Sequence, residues 1–272
     1  ELVGQAKALR AYYYHQLVLE FCPAYSIDPT YPAPPIYLGI SVEGNPMSTM
    51  EEVYALILED LIDAVSKLSS ARLDKSFVNI NVAYAFLAQV YQVLGQWENA
   101  ETSARAAYGG DVAAALDPGE YGDGFSSLDA VEWIWGLPQY DDQTAYYYSA
   151  PHAHADHTVL SYQGTFFNDQ FVNLFTPTDV RNLFVAGYYG ATTPADWFHW
   201  ITLKFQFEFD SDIPVIRTPE MILIEAEAKY RNGDIPGAQS LLYMLQKNRD
   251  PNAVASGNVG DALLDEILIE RR

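Results

Sequence analysis

The amino-acid sequence predicts a mainly α-helical fold, in which tightly paired helices form a scaffold and a loop-rich region of short strands and short helices packs on it. Apolar residues recur at intervals of three and four in residues 1–110 and 213–272, as on one face of a helix. Residues 111–212 lose this period and are rich in glycine, proline, aspartate and aromatic residues. We therefore expect one domain over residues 1–272, with ligand binding in residues 111–212.

Residues 79–108 give the clearest helical hairpin. In the first helix the apolar residues that share one face are Ile80, Tyr84, Leu87, Tyr91 and Leu94. Gly95 ends that helix, and a second helix runs from Trp97 to Gly109 and Gly110. The positions that match the spacing of a tetratricopeptide helix–turn–helix repeat are Leu87, Ala88, Tyr91, Gly95, Trp97, Ala100, Ala104 and Ala107. One hairpin cannot bury its own apolar face, so we expect it to stack on further helices.

The segments before this hairpin predict two more helices and a long loop. The first helix covers residues 1–20, and its inward face is predicted to be Leu2, Ala6, Leu9, Tyr13 and Leu17. Six prolines in residues 22–47 exclude a helix there. Ser48 and Glu51 form a capping box that begins a helix to about Leu68. Its predicted inward face is Met50, Val53, Ile57, Leu61, Val65 and Leu68.

The later segments predict strands first and helices again at the end. Alternating residues predict a strand at 131–135 and an edge strand at 205–209. Thr218 is the predicted N-cap of a helix that ends at Gly233, and a second helix follows from Asp234 to about Asn248. The residues that repeat the hairpin spacing are Ala226, Gly233 and Ala238. Asp261 is predicted to cap a last helix, with Leu264, Ile267 and Leu268 inward.

Charge and cysteine content exclude several classes of function. The chain has 36 acidic and 15 basic residues and a net charge of −21. Such a chain repels phosphate backbones and anionic lipid headgroups, whereas neutral ligands such as sugars carry no such penalty. The single cysteine, Cys22, excludes an internal disulfide. No apolar run reaches the ~18 residues that a membrane-spanning helix needs.

Five groups of residues, in order and spacing, resemble the SusD/RagB family of surface glycan-binding lipoproteins. They are residues 8–18, residues 53–64, Asp179 with Arg181, residues 214–228 and residues 270–272, in addition to the central hairpin. The resemblance covers residues 1–110 and 213–272 well and residues 111–212 poorly. Cys22 stands where the family usually has glycine, and Gln246 where asparagine is common.

The resemblance implies a tetratricopeptide-like scaffold and a role without catalysis. We also expect no cofactor and no metal. The resemblance further implies capture of oligosaccharide or polysaccharide on the exterior of the outer membrane and delivery to a SusC-like TonB-dependent transporter. Nucleic acid is not an expected partner. Because both ends of the chain fall inside amphipathic helices, we expect a fragment of a longer lipoprotein, whose membrane contact is a lipid anchor upstream of Glu1.

A sugar site needs flat apolar faces for the C–H side of a pyranose and polar groups for its hydroxyls. Residues 111–212 supply both. The predicted glycan-binding rings are Trp197, Tyr147, Tyr188, Tyr146 and Trp200, with Asp142 and Gln143 as hydrogen-bond partners. Burial of the rings under long loops is the structural alternative for each of them.

Other chemistry is less well supported by the sequence. His152, His154 and His157 with Asp156 lack the spacing of a helical metal pair, so solvated loop histidines are the preferred interpretation. The carboxylates of residues 141–142 and 210–212 make a poor hydrolase pair, since neighbouring side chains point to opposite sides.

Two further functions remain as alternatives. A tetratricopeptide-type protein–protein adaptor would use a helical groove, and a glycoside hydrolase would need a fixed carboxylate pair. For Arg217, Glu220 and Arg271 we favour a structural role, in which arginines join helix ends to carboxylates.

Overall fold

A computed structural model describes residues 1–140, 142, 151–158, 164–186 and 199–272. Its long helices are α1 (Leu2–Phe21), α2 (Met50–Lys67), α3 (Ile80–Val93), α4 (Trp97–Tyr108), α7 (Thr218–Arg231), α8 (Ile235–Arg249) and α9 (Asp261–Arg271). Two short helices, α5 (Pro151–Ala155) and α6 (Asp169–Val172), lie between α4 and α7. The prediction of a mainly helical fold with short elements in residues 111–212 is confirmed.

The long helices pack on one another nearly in chain order. Helix α1 contacts α2, α2 contacts α3, α3 contacts α4, α4 contacts α7, and α7 contacts α8 and α9. Ala100, Ala104 and Ala107 of α4 are buried, which permits close approach of its neighbours. The chain thus leaves the scaffold after α4 and returns to it beside α4 at α7. None of the helices in the described ranges combines the length and apolar composition needed to cross a membrane.

The hairpin and its glycine turns form as predicted, but the buried face of α3 is broader. Gly95 and Gly109 have φ values of 68° and 82°, in the left-handed region that glycine adopts without strain. Of the predicted α3 face only Leu87 is buried, and the others are half-buried. The buried residues of α3 are Val82, Ala83, Ala85, Phe86, Leu87, Ala88 and Val90. Helix α3 contacts α2, α4 and α7, which explains why its burial extends around the axis.

The predicted inward face of α1 is wrong. Leu2 and Tyr13 are 82% and 61% exposed, and the buried residues are Gly4, Ala8, Ala11, His15 and Val18. Small residues face α2 because the two helices lie close together. A Cβ on Gly4 would lie 3.0 Å from Leu68 Cγ.

Three predicted helix caps are one residue out of place. The capping box of α2 uses Thr49 and Glu52, in place of Ser48 and Glu51. Arg217 and Gly260, in place of Thr218 and Asp261, are the N-caps of α7 and α9. In α9, Leu263 and Ile267 are buried, whereas Leu268 is 42% exposed.

The described strands form three antiparallel pairs. The strands are β1 (Pro32–Ala33), β2 (Ser48–Thr49), β3 (Trp133–Leu137), β4 (Phe184–Ala186), β5 (Trp200–Thr202) and β6 (Ile213–Arg217). Strand β1 pairs with β2, β3 with β6, and β4 with β5. Strand β3 begins two residues after its predicted start.

No strand forms at residues 205–209, so that prediction is wrong. Phe207 N–H donates to Asp156 Oδ2 at 2.7 Å, and Gln206 N–H donates to the Gly124 carbonyl at 3.0 Å. Successive amides of this segment therefore bond to different parts of the chain and do not build a ladder.

Candidate functional site

Most of the predicted glycan-binding residues lie outside the part of the chain that the structure describes. These are Gln143, Tyr146, Tyr147, Tyr188 and Trp197. Asp142 is described, and it is exposed at a turn. Trp200 is half-buried in β5.

The polar group and ring of Trp200 both have partners within the loop-rich region. Its indole N–H donates to Asp169 Oδ1, and its ring stands nearly perpendicular to His199, with centroids 4.5 Å apart. The Phe167 N–H donates to the Trp200 carbonyl at 2.9 Å. Trp200 thereby joins β5 to α6 and to the segment before it.

Four phenylalanines, which we call the Phe cluster, form an aromatic wall beside Trp200. They are Phe167, Phe171, Phe175 and Phe184, and their rings contact one another at centroid distances of 5.2–5.9 Å. All four line a cavity of about 430 Å³. Residues of α7, α8 and α9 line it as well, so the cavity lies where the loop-rich region meets the scaffold. Its volume falls within the range of small-molecule sites, about 300–1,000 Å³.

Glu132, the residue before β3, is the centre of a buried charge network beside this cavity. Its carboxylate accepts two hydrogen bonds from Arg249 at 2.6 and 2.8 Å and one from Arg217 at 2.7 Å. Both Glu132 and Arg249 are about 1% exposed. A buried carboxylate of this kind is tolerated because its charge is paired and fully hydrogen-bonded. The network joins β3 to β6 and to the end of α8.

Lys204 lines the cavity within a cage of aromatic rings. Its Nζ lies 4.4 Å from the ring centroid of Phe125, 5.1 Å from that of Phe205 and 5.4 Å from that of Tyr121. Cations are attracted to ring faces at these distances. Burial, followed by the positive charges of Arg217 and Arg249, lowers the pKa of Lys204 to about 7.

Most of the other charged groups of the cavity are paired, whereas Arg272, the exposed last residue, makes no ion pair with a described residue. Arg181 donates to Asp179 and to Glu270 of α9, and Arg271 donates to Glu227. The structural role predicted for Arg217 and Arg271 is confirmed by their carboxylate partners. Glu220 differs, since its partner is the Gln89 amide at 2.7 Å. Burial raises the pKa of Glu220.

The histidines considered as metal ligands have structural contacts. His152 Nε2 lies 2.6 Å from the Phe125 carbonyl oxygen, and His157 Nε2 lies 2.9 Å from that of Thr165. Asp156 accepts from the Thr158 amide at 2.7 Å. Within the described ranges no three histidine, cysteine, aspartate or glutamate residues are grouped as metal ligands.

The acidic loop at residues 210–212 also has a structural explanation. Asp212 accepts from the amides of Leu128 and Gln139, at 2.9 and 3.0 Å. Both of its carboxylate oxygens are therefore occupied by backbone groups. Cys22 is the C-cap of α1, and burial raises its thiol pKa, so it has the character of a structural residue.

Comparison with known proteins agrees with this architecture. Residues 1–92 match a SusD-like family described as starch-binding and associating with the outer membrane. The crystal structure of a SusD-like carbohydrate binding protein from Bacteroides vulgatus superimposes with a TM-score of 0.86 at 30% identity, over 99% of this chain and 59% of that one. The chain belongs to the SusD-like family.

Two further SusD superfamily structures share the fold of this SusD-like chain. One, from Bacteroides thetaiotaomicron, has a TM-score of 0.85 at 23% identity over 99% of this chain and 63% of that one. The other, from Bacteroides vulgatus, has a TM-score of 0.84 at 22% identity over 98% and 63%. The chain therefore spans about three fifths of the length of these relatives. A search of the curated proteins found no match.

Three features of this SusD-like site are not predicted from the sequence. Three members of the Phe cluster, Phe167, Phe171 and Phe175, recur every four residues, which was an available signal of a shared face, whereas Phe184 joins them from β4. Lys204 is a single lysine between two predicted non-helical segments. Glu132 belongs to the strand predicted at 131–135, but its partners Arg217 and Arg249 are 85 and 117 residues away. The scarcity of lysine and arginine in residues 111–212 was the one available signal for Lys204, because a rare cation in an acidic region needs an explanation.

Proposed function

We propose that this chain binds oligosaccharide or polysaccharide without altering it. The proposal extends to a location on the exterior face of the outer membrane, through a lipid anchor, and to delivery of the sugar to a SusC-like TonB-dependent transporter. The family description and the carbohydrate-binding relative support the ligand class. The localisation and the transporter rest on the family resemblance.

The observation that carries the proposal is the meeting of a rigid helical scaffold with an aromatic-rich loop region around a cavity of ligand size. Aromatic faces suit the C–H side of a pyranose, and the adjacent polar side chains suit its hydroxyl groups. The described part of the site offers the Phe cluster. The predicted rings Trp197, Tyr147, Tyr188 and Tyr146 would extend the platform, together with Trp200.

The carboxylates described at the cavity favour binding over hydrolysis. A glycosidase needs one carboxylate as an acid and a second one free to act as a base or nucleophile. Glu132 and Glu270 are each held by arginine, and Glu220 is held by Gln89. A carboxylate that is engaged in this way is a poor nucleophile.

Calorimetric titration against a panel of polysaccharides tests the proposal. We expect one or more members to bind, and Trp197→Ala with Tyr147→Ala to weaken that binding by about tenfold or more through lost ring contacts. Tyr13→Ala, at an exposed ring of α1, is the control and leaves the affinity unchanged. A reducing-sugar assay on the same polysaccharides is expected to show no release.

Three outcomes would contradict the proposal. The intact protein could ignore the whole panel, it could release reducing sugar, or it could bind immobilised peptides in place of polysaccharides. The last result would support the adaptor alternative. Equal affinities of the wild type and the two alanine variants would reject the predicted site residues and leave the sugar-binding role intact.

A further inference from the structure

Two positive charges of the cavity have no carboxylate partner among the described residues: Arg272, which is exposed after the end of α9, and Lys204, which lies within the aromatic cage. Arg217 and Arg249 share Glu132, Arg181 is paired with Asp179 and Glu270, and Arg271 is paired with Glu227. Lys204 makes no ion pair, and its ammonium group donates no hydrogen bond to a side chain or carbonyl of the described residues. Its contacts are the three ring faces of its cage.

This arrangement is unusual because the chain as a whole is strongly acidic. With a net charge of −21, the protein offers many carboxylates that could have paired a buried ammonium. Arg217 and Arg249 line the same cavity, and the Nε–H of Arg217 is buried without an acceptor among the described residues. A buried cation beside other cations is costly unless an anion joins them.

We propose that the cavity binds the carboxylate of an acidic sugar, a hexuronate unit, with Lys204 as its counter-ion and the Phe cluster against its ring. This inference rests on the proposed carbohydrate-binding function and names the substrate class. The apolar wall and the charge are adjacent, since the four phenylalanines and Lys204 line the same cavity. A neutral sugar would leave the ammonium unpaired, and a small inorganic anion would leave the aromatic wall unfilled.

Proton binding gives the proposal a second signature. The charged groups that face Lys204 are Arg217 of β6, Arg249 of α8, Arg181 and Glu132, which precedes β3. Glu132 is the one attractive charge among them. The arginines stay protonated throughout the accessible range. As Lys204 loses its proton above pH 7, the counter-ion disappears and hexuronate binding weakens. Glu220 also lines the cavity, and its ionisation with rising pH adds repulsion in the same direction.

The test uses sodium D-glucuronate and a hexuronate oligomer as probes, with D-glucose and sodium acetate as the neutral and anionic references. We expect glucuronate to bind to the wild type and Lys204→Met to lose about tenfold or more in affinity, as when a charged hydrogen bond is removed. Lys67→Met removes the same charge from the exposed end of α2 and leaves the affinity unchanged. Binding to the wild type weakens about tenfold or more between pH 6 and pH 8.5. The pH dependence of binding is smaller in Lys204→Met than in the wild type.

Each other outcome overturns the inference in a recognisable way. Equal affinity of Lys204→Met and the wild type places the anion elsewhere. Acetate binding as tightly as glucuronate shows a simple anion site. Binding of neutral polysaccharides without glucuronate rejects the substrate class and leaves the proposed function standing, whereas failure of every carbohydrate rejects both. Thermal unfolding of Lys204→Met checks that the variant is folded, and we expect it to be at least as stable as the wild type because a desolvated charge is removed.

Discussion

At the scale of single residues, His15 shows how burial without a polar partner lowers the pKa of a histidine. It is 3% exposed in α1, and its ring packs edge-on against Tyr54 of α2, with centroids 5.9 Å apart. Its Nδ1 and the Tyr54 hydroxyl are both buried and make no hydrogen bond among the described residues. Burial therefore lowers the pKa of His15 to about 4.

This shift predicts a defined loss of stability in mild acid. Between the unfolded pKa of about 6.5 and the folded pKa of about 4, the unfolded chain binds a proton that the folded chain does not, so the free energy of unfolding falls as pH falls. From pH 7 to pH 5, the wild type should lose about 2 kcal/mol more than His15→Leu. Urea denaturation at both pH values measures the difference. Tyr54→Phe keeps the histidine and should retain the loss, and an equal loss in His15→Leu would contradict the assignment.

The sequence points to many of the charged residues that form ion pairs, but it does not reveal which residues are their partners. Residues 8–18 and 53–64, which carry the family resemblance, contain Arg10 and Asp60. These two form a two-pronged ion pair with distances of 2.7 and 2.8 Å that joins α1 to α2. Similarly, Glu225 accepts from Tyr108 and Arg105 of α4. Such pairings depend on which helices become neighbours, and tertiary packing decides that.

At the scale of elements, the start of α2 shows which of two overlapping capping-box patterns in the sequence the helix uses. Ser48 with Glu51 and Thr49 with Glu52 both fit the capping-box pattern. Thr49 Oγ1 accepts from the Glu52 amide at 3.2 Å, and Glu52 Oε2 accepts from the Thr49 amide at 2.8 Å. Ser48 instead pairs with Ala33 between β2 and β1, which fixes the helix start one residue later.

The two candidate caps therefore make different contributions to stability. We expect Thr49→Ala to lower the free energy of unfolding by about 1 kcal/mol, because one free amide of the first turn loses its acceptor. Ser48→Ala is the matched control, with an effect within about 0.5 kcal/mol. Chemical denaturation of the three proteins gives both values. A larger loss for Ser48→Ala would restore the sequence-based cap.

The boundaries of the long helices follow from the sequence more closely than their buried faces. Glycine turns at Gly95, Gly109 and Gly233 act locally, so the helices end close to the predicted positions. The face that a helix buries depends on its neighbours. Helix α1 buries its small residues because α2 approaches closely, and it leaves Leu2 and Tyr13 exposed. A rule that places the largest apolar residues inward fails for such a contact.

At the scale of the whole molecule, buried ion pairs join the loop-rich region to the scaffold. Glu132, next to the start of β3, binds Arg249 at the end of α8, and Arg181 binds Glu270 of α9. The division into a scaffold and a loop-rich region was predictable from the loss of helical periodicity. The connections between them were not, since they depend on single side chains far apart in the sequence, and the cavity between them could not be located for the same reason.

These connections predict that residues 1–272 unfold as one domain. Far-UV circular dichroism reports the helices, most of which belong to the scaffold, whereas four of the five tryptophans that report by fluorescence lie in residues 111–212. We expect the two signals to give the same urea midpoint.

Glu132→Gln should lower the free energy of unfolding by about 3–5 kcal/mol, since two buried guanidinium groups lose their carboxylate. Glu208→Gln, at an exposed carboxylate, is the control. Because the Glu132 pairs tie β3 to α8, the variant should also unfold the loop-rich region first, with the fluorescence midpoint below that of circular dichroism. Separate midpoints in the wild type would instead divide the chain into two independently folding units and make the buried pairs a minor part of their association.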